Sequence, residues 1–477
     1  MKQLRVGFSR VNIDPGYGIP IRGYFVPRFS GGILDHLYAN AIVFSMEEKT
    51  VACEAYQPET GRYAPSRKND ASGCAALISV DNCGLTAAEC RLLRQKIQAQ
   101  TGIAFENILL HCTHTHTGPY TNPEAVDEAA SEKVRAYRSF LAERLCDAVT
   151  YALDDLKPAR MGFCVAQAPE RVAYIRRYKM KDGTTMTCPP INDPNIDHAI
   201  GTLDQRVNVV RFDRENADTV VLMNYGLHAD CINLDRISPD WPGWMARTFE
   251  ACVPEAKVVF LNGCEGDVGS TNVHPCGGDM NDTQISFDSE MKSNGMARFV
   301  GRALCGSILQ VYDKVEYVDA DVLRVLETVV RVPSNKAKPE QLPLAHRYKE
   351  LHESGHDEQI PYTAMELTTV VAEALRMCRL ENGPDSFELP LTGLRIGPIA
   401  FCGIPGEPFT DIGKALKQTE GYRCILPMCL TNGSEGYFPM RSAFDEGGYE
   451  ARSSKYTGVV ADRIIEGGRT LLRRLKD

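Results

Sequence analysis

Residues 107–119 read NILLHCTHTHTGP, an apolar run that passes into three histidines and stops at a Gly-Pro turn. The run has the character of a buried strand. A helical pattern follows it over residues 130 to 156, where Val134, Tyr137, Leu141, Leu145, Ala148 and Ala152 recur at three- and four-residue spacing. Upstream lie LRVGFSRV at the start, NAIVFSM near 40 and CAALISVD near 74; downstream come VNVVRFD, TVVLMNYGLH and KVVFLNG, each ending where polar residues and glycines begin. Strands alternating with helices predict an α/β fold. Residues 333 to about 385 read as two helices, LPLTGLRIGPIAFCGIPGEPF returns to strand character, and a last helix from about 453 carries Val459, Val460, Ile464, Leu471 and Leu472 on one side. No repeat or low-complexity linker interrupts the chain, so residues 1 to 477 are expected to form one domain.

Composition narrows the classes of partner. The 477 residues are 43% hydrophobic and 24% charged, enough for a sizeable core. A net charge of -9, from 53 basic and 62 acidic residues interspersed along the chain, gives no extended basic field, and nucleic acid is not an expected partner. No apolar run approaches the roughly 20 residues of a membrane span, and the start MKQLRVGFSRVNIDPG lacks a signal-peptide pattern. A cytoplasmic protein without a membrane span is expected. The 17 cysteines form no CxxC pair and fit reduced thiols, with Cys112 and Cys264 read as small buried residues rather than nucleophiles.

Five segments carry chemistry. In extended backbone, residues i and i+2 point to one side, so His114 and His116 are expected to converge on one ion or substrate atom, while His111 lies off that pair. A hydrogen-bonded histidine pair is the plainer reading, but three of the 10 histidines fall within six positions. In NYGLHADCIN, residues 224–233, His228 ends an apolar run and is followed by Asp230. It gains weight as a third imidazole at the end of another strand. FLNGCEGDVGSTN, residues 260–272, sets Glu265 and Asp267 among glycines, where a carboxylate accepts a proton or orients a ligand histidine; a plain acidic turn reads nearly as well. GIPGEPFTDIG, residues 403–413, places Glu407 before a helix, where it also complements the helix dipole. TNGSEGYFPMRSAFDEGGYEA, residues 431–451, places Tyr437 and Tyr449 in a glycine-rich stretch.

Taken in order, these segments resemble the motifs of the neutral, non-lysosomal ceramidases, and the opening VGFSRVNIDP resembles that family's start. The resemblance implies a mixed-sheet α/β catalytic domain with its metal site at strand ends and loops. It also implies one zinc ion held by His114, His228, Glu407 and Tyr437, with His116 near the scissile group. Tyr449 falls at the offset of the family's later tyrosine, and Arg176 in RRYKMKDG at its active-site arginine. Two departures stand out. The family's GDVSPN, whose serine takes part in amide cleavage, reads GDVGSTN here, with Gly269 at the serine position and Ser270 displaced by one. The residues after the last motif are too few for the family's C-terminal β-sandwich, so a catalytic domain alone is expected.

The function implied is hydrolysis of an amide by water activated at zinc. His116 or Asp267 would carry the proton to the leaving amine, and Tyr449 or His116 would stabilise the oxyanion. The expected substrate is a small soluble N-acyl compound, because neither an exposed apolar surface near the site nor an export signal is expected. Ceramide itself, esters or lactones on the same site, a TIM-barrel amidohydrolase and a non-catalytic metal-containing binding protein stay open. Arg176, Arg177, Trp241 and Trp244 are candidates for a polar pocket, although core roles suit the tryptophans equally. Oligomeric state is not legible.

Overall fold

Runs of Val, Ile and Leu become strands covered on both faces: Ala75–Val80 and Ile108–Cys112 are buried at every residue. The computed structural model describes residues 3–46, 71, 73–280 and 292–477. Its large sheet has nine strands, ordered Ala256–Asn262, Thr219–Tyr225, Arg206–Arg214, Lys157–Gln167, Arg5–Asn12, Tyr38–Ser45, Ala75–Val80 and Ile108–Cys112, with Glu316–Val318 also pairing Lys157–Gln167. The two outermost pairs are parallel and the others antiparallel, so the sheet is mixed. A second sheet orders Leu323–Pro333, Ser386–Ile396, Ile399–Gly403 and Cys424–Met428.

Helices α1 (Ala87–Thr101) and α2 (Glu128–Asp154) cover one half of the large sheet, where Ile78 and Val80 meet Leu93, Leu141 and Val149. Helix α3 (Asp240–Cys252) and α4 (Asn294–Tyr312) cover the other half, around Val209, Met223 and Trp241. On the opposite face, Phe44, Leu77, Phe212 and Leu222 pack against Leu394, Phe401 and Leu426 of the second sheet. Each such side chain stabilises the fold by about 1.5–3 kcal/mol. Helices α5 (Leu342–Glu353) and α6 (Ala364–Glu381) form a pair, and α7 (Thr410–Lys417) precedes the short α8 (Arg441–Glu446) and α9 (Tyr449–Ser453). The outer face of the second sheet is closed by α7 and α10 (Val460–Lys476), whose Ile464, Leu471 and Leu472 point inward. The layers run helix, sheet, sheet, helix.

The expected final helix from about 453 starts later, as α10 at Val460: Ser453 closes the short α9, and Ser454 adopts extended backbone (ψ 126°). A TIM barrel is overturned outright: most strand pairs are antiparallel. The large sheet also curls until its outer strands meet. Asn262 donates its backbone N–H to His111 Nε2 at 2.9 Å, and Ser79 Oγ donates to the Phe260 carbonyl at 2.7 Å. That closure brings the segments following Cys112, Tyr225 and Asn262 to one place.

Candidate functional site

Beyond Ile108–Cys112 the chain turns sharply at His114, whose φ of 71° is left-handed. The expectation that extended alternation aligns His114 with His116 is therefore corrected: a left-handed residue, a conformation costing about 1–3 kcal/mol outside glycine, makes the two rings meet. They lie 4.7 Å apart, edge to face, with their Nε2 atoms 3.2 Å apart. Thr115 pairs with Ala229 in a parallel bridge, which draws the segment after Thr219–Tyr225 alongside and leaves the His228 ring 4.7 Å from His114. Gly226 permits this approach, since a Cβ there would lie 2.4 Å from the Cys264 carbonyl oxygen. Trp241, fully buried, donates from Nε1 to the His228 carbonyl at 3.0 Å and serves the core. Glu407 and Tyr437 are direct partners in a two-residue parallel ladder, so two motifs thirty positions apart become neighbours.

Backbone carbonyls fix the tautomers. His114 Nδ1 lies 2.7 Å from the Cys83 carbonyl, and His228 Nδ1 lies 3.0 and 3.1 Å from the carbonyls of Glu265 and Val268. Each ring then turns its Nε2 toward Glu407 Oε2, 3.4 and 3.5 Å away. Ligand atoms of His114, His228, Glu265 and Glu407 all fall within 4.8 Å of one another. Glu407 Oε2 and both Glu265 carboxylate oxygens are buried and receive no hydrogen bond of normal geometry. Buried acceptors facing one another without donors are costly unless a cation lies among them, so these residues fit a metal ion. Imidazole with carboxylate suits zinc among several divalent metals. Glu265 Oε2 lies 2.6 Å from His228 Nδ1, where a carboxylate expected to orient that histidine would stand.

The charges respond to one another. Burial alone would depress His114, but Glu407 and Glu265 outweigh it and hold it well above the usual imidazole range. Burial would likewise raise Glu407, yet His114 and His228 keep it well below the usual carboxylate range. His116 falls well below its ordinary value because burial and the neighbouring imidazoles exceed the pull of Asp230. Burial and Glu407 push the Tyr437 phenol up.

Around this cluster stand the remaining predicted residues. Arg176 donates from Nε to Glu450 at 2.7 Å and from NH2 to the Gly266 carbonyl at 2.9 Å, and its NH1 lies 3.2 Å from His228 Nε2. Tyr449 meets Tyr437 edge to face at 5.6 Å. Asp267 does not join the metal cluster: its Oδ1 accepts from the backbone N–H and hydroxyl of Thr410, both at 2.8 Å, where it braces the start of α7. Ser270 is buried against the Cys231 thiol. A Cβ on Gly269 would meet nothing closer than Arg176 at 3.8 Å, so the position is open. His111 is a core residue, both nitrogens bonded to backbone groups and its pKa pushed down to about 4 by burial. Arg177 is held by Glu446 and the Gly447 carbonyl, and Trp244 by Asn294. Every described cysteine is free, and burial pushes Cys112 up to about 12 and Cys264 well above the usual thiol range. Sequence reasoning missed Glu450, Tyr24 and Lys292, which carry no local signal.

The expectation of no exposed apolar surface at the site is corrected. Phe25, Val26 and Phe29 are 40%, 71% and 47% exposed, and the Phe25 ring lies 6.4 Å from Tyr449. Among the described residues, no helix is long and apolar enough to cross a membrane.

With this geometry in hand, the whole chain superimposes on 76% of the neutral ceramidase from Pseudomonas aeruginosa, with a TM-score of 0.67 and 16% sequence identity. The chain has the neutral ceramidase fold. A ceramidase complexed with C2 gives the same TM-score of 0.67 and the same coverage of 100% and 76%, at 15% identity. No protein-family model and no curated protein sequence matches the chain. The neutral ceramidase fold bears out the mixed-sheet α/β expectation and the resemblance to that family, and at this identity it speaks for the fold alone.

Proposed function

We propose that the chain is a zinc-dependent hydrolase that cleaves the amide bond of a soluble N-acyl compound. The observation that carries this reading is the convergence of His114 and His228, each with Nδ1 held by backbone carbonyls, on Glu407, where Glu407 Oε2 and both Glu265 oxygens are buried without a hydrogen bond of normal geometry. His114, His228 and Glu407 would hold the ion, and Tyr437 completes the set from its paired strand. Bound zinc would supply Lewis acidity, lowering the pKa of water to about 7.

The chain's own groups account for the rest. His116, buried and neutral, takes a proton at Nε2 and returns it to the leaving amine; Asp267 is committed to Thr410. Tyr449, whose phenol burial and the Glu407 charge keep protonated, donates to the oxyanion. Arg176, locked by Glu450, orients the acyl carbonyl beside Tyr437. Gly269 leaves room for water where a side-chain nucleophile would stand, and Ser270 faces Cys231.

A second reading has its own observation. The exposed Phe25 beside Tyr449, with Val26 and Phe29 also exposed in the same segment, suits a long acyl chain and favours a ceramide-like lipid. Zinc-loaded protein incubated with N-acyl amino acids, N-acyl sugars, simple esters, and short- and long-chain ceramides in detergent separates the readings. Turnover of soluble amides supports the first, cleavage confined to ceramides the second, and ester turnover alone sinks both. About one zinc per chain is expected, lost in His114→Ala and His228→Ala; full occupancy in both variants contradicts the ligand set.

A further inference from the structure

The bridge between Thr115 and Ala229 does two things at once. One residue before each bridge partner it sets His114 beside His228; one residue after, it sets His116 beside Asp230, with Nδ1 3.6 Å from Oδ1. His116 Nδ1 is buried and has no hydrogen-bond partner. Its other nitrogen faces His114 Nε2 at 3.2 Å.

Asp230 is itself held from outside. Lys292 Nζ donates to Asp230 Oδ2 at 2.6 Å and to the Tyr24 hydroxyl at 2.8 Å, and the Tyr24 hydroxyl donates in turn to Asp230 Oδ1. The Tyr24 ring meets His116 edge to face at 5.5 Å, and Arg28 donates to the His116 carbonyl at 2.5 Å. A cation, a phenol and an imidazole thus surround one carboxylate, and only the imidazole is turned toward the metal cluster.

We propose that Asp230 is the positioning residue for His116, held in place by Lys292 and Tyr24. A neutral imidazole carries one N–H. Placing it on Nδ1 partners the orphaned nitrogen with a carboxylate oxygen and leaves the Nε2 lone pair facing the reaction space. The opposite tautomer sets two lone pairs against each other across 3.6 Å of buried space, and its N–H toward His114 Nε2, 3.2 Å away, would lose its acceptor once a metal took the His114 lone pair. Closing that gap to a hydrogen bond takes a ring or carboxylate shift of under about 1 Å. The use made of Nε2 as proton carrier rests on the amide-hydrolase reading; the orientation does not.

The test reads the tautomer directly. Protein labelled with 15N-histidine, with His116→Gln assigning the resonance, is expected to show His116 protonated at Nδ1. In Asp230→Asn the amide N–H can donate to Nδ1, and the proton is expected to move wholly or partly to Nε2, with metal content unchanged. Lys292→Met, which frees Asp230 without altering it, is expected to give a mixture. With a soluble amide substrate, Asp230→Asn lowers kcat about 10- to 100-fold while KM stays within about twofold. A His116 tautomer identical in wild type and both variants overturns the proposal, whatever the turnover. A tautomer shift in a protein that cleaves no amide upholds the positioning role and removes the hydrolase reading instead.

Discussion

His111 shows how one histidine of a cluster differs from its neighbours three and five positions away. Its Nδ1 donates to the Cys429 carbonyl and its Nε2 accepts from Asn262, both at 2.9 Å, leaving nothing for a metal or a proton. His111→Ala leaves the buried Asn262 N–H unpaired, at about 1–3 kcal/mol, while the Cys429 carbonyl keeps the Thr431 hydroxyl at 3.0 Å, so the midpoint of urea unfolding at pH 7 is expected to fall without loss of metal. The folded value of about 4 lies below the unfolded 6.5, so the unfolded chain binds more protons between them. The His111 contribution is therefore complete above pH 6.5, declines as pH falls, and is gone at about 4. Metal-stripped protein should show this slope and His111→Gln should flatten it; equal slopes contradict the assignment. At this scale His114 and His116 were legible because histidines are rare and cluster there, and His228 because it ends an apolar run as a third imidazole. Tyr24 and Lys292 were not, since nothing local links them to an aspartate 206 and 62 residues away.

Among the elements, α9 carries Tyr449 and Glu450 into the site but spans only Tyr449–Ser453, too short to hold itself. Helix α6 holds it: Arg452 donates to Glu366 at 2.8 Å and to Glu373 at 2.6 Å, and Arg376 Nε donates to the Arg452 carbonyl at 2.9 Å. These ion pairs are partly exposed and worth under about 1 kcal/mol in stability. Their loss in Arg452→Ala is expected to raise KM several-fold, through Glu450 and Arg176, while zinc content and the unfolding midpoint stay near wild type. Steady-state kinetics with metal analysis checks this, and an unchanged KM removes α6 from the argument. Helices α2, α5 and α6 were legible from their apolar spacing. The turn at His114 was not, because no residue type there announces a positive φ, and the break at Ser454 has no glycine or proline at that position to announce it.

For the molecule as a whole, the expected site residues come from segments around 114, 228, 407 and 437, drawn from both sheets. An ion held there ties together parts of the chain that local structure leaves apart, and binding to the folded state alone adds about 4 kcal/mol at a thousandfold excess over Kd. Chelation is expected to lower Tm by several degrees and added zinc to restore it; a Tm indifferent to both places no ion in the core. The alternation of strands and helices made the α/β class readable, but two facing sheets and the curl of the larger one depend on pairings between distant runs, which periodicity does not encode. That curl has a further consequence. An outermost strand ordinarily offers a row of free backbone groups on which another chain can template. Here Val258 is taken up by Glu250 and Arg10, Phe260 by Ser79, Leu261 by Asn224 and Asn262 by His111, while Leu110 and Cys112 bond to Asn432 and Leu430. The same contacts that bring the site's segments together occupy these backbone groups of the outer strands, so a substitution that loosens them is expected to expose the protein to fibrillar association as well as to disturb the site.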